Sequence, residues 1–107
     1  MADNLERGIM AFRISASSKE QIKTLAYMSA MIATECTKTN IKIVECAITF
    51  GGTKSVIAEV KKLKDRKNFT TVLLFNPKSV AKNQIEYSGF ISAMEGMGLN
   101  VRVLREN

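Results

Sequence analysis

Arg13, Ser15, Ser17 and Ser18 stand together just ahead of a helix-opening signature, and a cation with hydroxyls beside unpaired helix N–H groups is a set that suits a phosphate. The same serines would serve equally as helix caps. A second segment, Phe50-Gly51-Gly52-Thr53-Lys54-Ser55, is similar to a phosphate-cradling loop, but a single residue separates Gly52 from Lys54, which is not the G-x-x-x-x-G-K-[ST] spacing. A Walker A loop is therefore not expected. Nor is a dinucleotide site, because G-x-G-x-x-G occurs nowhere. The run Lys61-Lys62-Leu63-Lys64-Asp65-Arg66-Lys67 reads as a solvated helix end whose charge complements the helix dipole, with weak attraction to DNA or RNA as the alternative. Only Phe69 lies near these charges, so recognition of single strands by stacking is not indicated.

The absence of any histidine excludes Ser-His-Asp and Cys-His catalysis, His-ligated zinc and an imidazole base. No metal or cofactor site is expected. Cys36 and Cys46 lack CxxC spacing and sit in apolar stretches, the pattern of buried free thiols in a reducing compartment. Sixteen Lys and Arg against ten Asp and Glu leave a net charge of +6, which favours polyanions as partners. Residues 1–7 carry Asp3, Glu6 and Arg7 with no apolar leader, and 18 apolar residues never run together. A cytoplasmic protein with no membrane partner is expected.

The elements that must position these residues alternate along the chain. Apolar or β-branched runs predict strands over 9–14, 41–49, 70–75 and 100–104. Between them, repeats of three and four predict helices from near Ser18 to Thr39-Asn40, over 54–64 and over 79–97, with Gly98 as a C-cap. The apolar stripe of the first helix is Ile22, Leu25, Ser29, Ile32 and Cys36, and that of the third is Tyr87, Phe90, Ile91 and Met94. At 107 residues and 46% hydrophobic content, one domain spanning 1–107 is expected. Its class is α/β, three layers α/β/α around a four-stranded, mainly parallel sheet of flavodoxin-like topology. In such a sheet the loops at 15–19, 49–54 and 76–83 gather at the carboxyl edge, where ligands bind.

Taken together, these loops resemble the N-terminal catalytic domain of serine recombinases, the resolvase/invertase family. That family opens with Y-x-R-V-S followed shortly by E-Q, and here Ala11-Phe12-Arg13-Ile14-Ser15 precedes Glu20-Gln21. Lys54-Ser55 match its Arg-Pro loosely, Lys78-Ser79-Val80-Ala81-Lys82-Asn83 align with its D-R-L-x-R-N, and Gly98 precedes a closing strand Val101 to Leu104. The resemblance implies a resolvase-like fold and a serine that attacks a DNA phosphodiester to form a phosphoserine link, with arginines neutralising the phosphate. By position, Ser15 is the nucleophile and Arg13 a phosphate-binding arginine. Because Glu20-Gln21 lie farther from Ser15 than in the family, Ser17 is the alternative nucleophile. Lys54, Lys82 and Ser79 fall at phosphate- or DNA-binding positions.

The departures bear on activity. The family's aspartate falls on Lys78, its two arginines on Ser79 and Lys82, and its tyrosine on Ala11. A lysine keeps the charge but not the bidentate fork of an arginine. Strand cleavage is therefore expected to be absent or very weak. The sequence stops at Asn107, so the dimerisation helix and DNA-binding domain that follow in the family are expected to be missing. The expectation is a catalytically defective binding or regulatory module linked to DNA recombination. Its partners would be DNA, bound weakly and non-specifically, and a second copy or a recombinase. The alternatives are an active strand-transfer domain and a flavodoxin-like interaction domain with no DNA role.

Overall fold

The computed structural model describes residues 5–14 and 19–106. The chain runs β1 (Glu6–Ile14), α1 (Lys19–Thr39), β2 (Ile41–Phe50), α2 (Thr53–Arg66), β3 (Thr71–Leu74), a short 3-10 turn (Pro77–Ser79), α3 (Gln84–Gly96) and β4 (Asn100–Val103). Every strand pairing is parallel, and the strand order is β2-β1-β3-β4. The expected α/β alternation is therefore present, with a sheet that is parallel throughout. β1 continues to β2 on one side and the chain then crosses to β3 on the other, so the topology reverses between β1 and β3, the place where such sheets open a crevice.

Side chains alternate across the sheet and so feed two cores. Ile9, Ala11, Val72 and Leu74 point to the face covered by α2 and α3, where Val56, Val60, Leu63, Phe90 and Met94 meet them. Met10, Phe12, Leu73 and Phe75 point to the other face, covered by Ile32 and Cys36 of α1. The short β3, buried along its whole length, is the apolar run a strand needs when helices lie on both faces.

Two element starts and one side chain depart most from the sequence reading. β1 begins at Glu6, because Glu6 and Arg7 pair with Ile41 and Lys42 although neither is apolar. The third helix begins at Gln84 and not at residue 79, since Asn76 and Ser79 close a capping box around the Pro77–Ser79 turn and a second cap, Asn83, opens α3. Ile22 leaves the expected stripe of α1 and is 56% exposed, beyond the part of the helix that Ile32 and Cys36 seat on the sheet. Gly98 does end α3. At φ +76° it allows the Leu99 N–H to reach the Met94 carbonyl at 3.0 Å and its own N–H to reach that of Glu95 at 2.9 Å, a Schellman closure. Cys36 is buried and Cys46 partly so, and both are free thiols.

Candidate functional site

Two of the expected loops, 49–54 and 76–83, meet the end of β1 at the carboxyl edge of the sheet, tied by side chains that reach between them. Arg13, near the end of β1, donates from its guanidinium to the Ala81 carbonyl at 3.2 Å. Thr53, the first residue of α2, donates its hydroxyl hydrogen to the Val80 carbonyl at 2.8 Å and approaches Glu86 Oε1 at 3.2 Å. Glu86 Oε1 also accepts from the Lys82 amide at 3.0 Å, while the Glu86 amide donates to the Asn83 side chain at 2.9 Å. Residues 80–82, which belong to no helix, are thus held by partners from β1, α2 and α3.

Those ties set where the candidate cations sit. Lys54 and Lys82 are both exposed, each directly adjoining a residue of the network, Thr53 and Ala81. Gly51, at φ +103°, turns the chain from β2 into α2 in a conformation that a residue with a Cβ rarely adopts. α2 then opens without a side-chain cap. Ser79 is placed differently: it is buried, and its hydroxyl is used within the turn, donating to Asn76 Oδ1 at 3.0 Å. Ser15 and Ser17 lie outside the described residues.

Electrostatically the edge combines cations with the Glu86 carboxylate, and Glu106 lies beside Lys82 in an adjoining depression. The Lys82 amide, and after it the Thr53 hydroxyl and the charges of Lys82 and Arg13, hold the Glu86 carboxyl below its ordinary range against a smaller opposing effect of burial. Two polar atoms at the ends of β1 and β2, Arg13 Nε and Thr49 Oγ1, are buried with no hydrogen-bond partner among the described residues. A depression of about 210 Å³ adjoins the site, lined by Lys78, Lys82, Tyr87 and Glu106 among others. A larger one, about 310 Å³, lies between α1 and the β3–β4 side of the sheet and includes none of the candidate residues.

Thr49, Thr53 and Glu86 were not singled out in the sequence. Asn83 and Glu86 stand at capping-box spacing, a local signal for the start of α3, but nothing local links Glu86 to Thr53, 33 residues earlier. Arg105 was also passed over. It lies over the Phe75 ring at 5.4 Å, on the α1 side of the same edge.

Neither a protein-family model nor a curated protein matches the sequence. Solved structures do match in shape. The chain superposes on the C-terminal catalytic domain of TnpA, an IS607-like serine recombinase, with a TM-score of 0.75 and 17% identity, covering 94% of this chain and 69% of that one. The fold is that of serine recombinase catalytic domains. A resolvase family site-specific recombinase from Streptococcus pneumoniae agrees, with a TM-score of 0.74 and 17% identity over 92% of this chain and 72% of the other. This resolvase-like domain carries, among its described residues, no helix long and apolar enough to cross a membrane and no cluster of His, Cys, Asp or Glu that could hold a metal ion.

Proposed function

We propose that the chain is a cytoplasmic serine-recombinase-like module that is defective in strand cleavage and acts by binding in DNA recombination. It associates with the DNA backbone weakly and without sequence preference, and with a second copy or a recombinase. The observation that carries the reading is the composition of the carboxyl edge on a recombinase fold. Of the positions at which the family resemblance places arginines, Arg13 alone has one, and that guanidinium is tied to the Ala81 carbonyl. Lys54 and Lys82 attract phosphate as point charges and cannot clamp it in the planar, two-bond manner that transition-state stabilisation uses.

The test is incubation of the protein with supercoiled plasmids under denaturing quench. The expected result is no covalent protein–DNA adduct, together with binding to random duplex that falls steeply as salt rises. An adduct that disappears in Ser15→Ala or in Ser17→Ala would overturn the defect and make this an active strand-transfer domain. Undetectable binding to duplex at low salt would remove DNA and leave an interaction domain.

A further inference from the structure

We infer that Glu86 is an internal counter-anion of the candidate phosphate site, a carboxylate that sets a negative charge beside the cations and occupies the Lys82 amide, and so sets the site's affinity low. The inference rests on the reading of the carboxyl edge as a polyanion site.

Its basis is where the carboxylate lies. Glu86 Oε1 accepts from the Lys82 amide at 3.0 Å and stands 3.2 Å from the Thr53 hydroxyl, so one oxygen joins the start of α2 to the loop before α3. Both donors belong to segments that also carry a candidate cation, Lys82 itself and Lys54 next to Thr53. Arg13 bonds the carbonyl of Ala81, the residue before Lys82. A phosphate that approached Arg13, Lys54 and Lys82 together would therefore meet a fixed negative charge among them. The local field is reduced by one full charge, and the Lys82 amide is already taken. Glu86 can hold this place because Asn83 caps α3 and fixes its first turn.

Four variants separate this role from the alternatives, with a fluorescently labelled random-sequence duplex as probe and anisotropy read across a salt series. Glu86→Gln keeps an oxygen that accepts from the Lys82 amide but removes the charge, and Glu86→Ala releases that amide as well. Each is expected to bind about fivefold tighter or more, and the plot of log K against log salt is expected to steepen by about 0.9, the signature of one added phosphate contact. Glu95→Gln makes the same change of net charge at an exposed position near the other end of α3 and is expected to leave affinity within about twofold of the parent at moderate salt, where distant charges are screened. Glu86→Asp retains the charge and is expected to bind no more tightly than the parent.

If Glu95→Gln gained as much as Glu86→Gln, the effect would be one of overall charge and the inference would be overturned. Parent binding with Glu86→Gln and Glu86→Ala unchanged, both folded by circular dichroism, would overturn the role of Glu86 alone. No binding by any of the proteins at the lowest salt would overturn this inference together with the reading beneath it.

Discussion

Arg13 on β1 and Thr49 on β2 are register partners, and each buries a polar atom, Nε and Oγ1, that lacks a hydrogen-bond partner among the described residues. An unpaired buried hydroxyl costs stability, whereas an apolar group of the same shape in its place does not. Thr49→Val makes that replacement within a β-branched side chain. It is expected to leave the urea midpoint unchanged or to raise stability by up to about 1 kcal/mol. A loss of stability would show that the hydroxyl is satisfied by a partner.

Thr53 gives the opposite expectation, because its hydroxyl is used. Thr53→Val strips the Val80 carbonyl of a buried donor and removes the hydroxyl beside Glu86, and is expected to destabilise the fold by about 1–3 kcal/mol. Thr53→Ser keeps the hydroxyl and is expected to recover most of that loss. Equal stability of the parent and Thr53→Val in urea unfolding would show that the Val80 carbonyl finds another donor.

The fold was legible in the sequence because parallel strands buried on both faces must be apolar runs, and amphipathic helices must show their stripe. Val72 to Leu74, Val56, Val60 and Leu63, and Phe90 and Met94 all announce themselves in this way. The beginning of α3 did not, since Ser79 to Lys82 continue a passable helical pattern. Only the backbone shows that Ser79 closes a turn with Asn76 and that Asn83 starts the helix. At the site, Arg13, Lys54 and Lys82 could be assigned to one edge because strand ends in an α/β alternation converge there. The Arg13–Ala81 and Thr53–Glu86 ties could not. They are single side-chain contacts across 68 and 33 residues, with no periodicity or spacing to reveal them.

Cys46 is partly exposed, yet burial, and after it the charge of Glu45, pushes its thiol up to about 11. Only the thiolate is nucleophilic, so alkylation of the folded protein at pH 8 is expected to be much slower than in urea. The rate is expected to climb as pH approaches 11. Cys36 is raised in the same direction, by burial first and then by Glu35. The fold prefers both thiols protonated, so their contribution to stability is complete below the ordinary value of 9.0 and is lost as pH rises through the raised value, about 11 for Cys46. Rapid labelling of the folded chain at pH 8 would show a thiolate that the surroundings of both cysteines disfavour.

pH separates the part Glu86 plays in stability from the part inferred for it in binding. Its carboxyl is held below the ordinary value of 4.5, chiefly by the Lys82 amide, so the fold prefers the ionised form. The stability it contributes is present above 4.5 and is lost as pH falls through the lowered value. Glu86→Gln has no such group. Its urea midpoint is therefore expected to lie below the parent's at neutral pH, and the gap is expected to narrow once pH drops under 4.5. A gap of constant size from neutral to acid pH would show that no stability is linked to this proton. Should it close as expected while Glu86→Gln binds duplex more tightly at neutral pH, the same carboxylate would be both a clasp between α2 and α3 and a brake on the phosphate site. Thr53 tells these roles apart: Thr53→Val loosens the clasp without removing the charge, so its stability is expected to fall while its salt slope stays that of the parent.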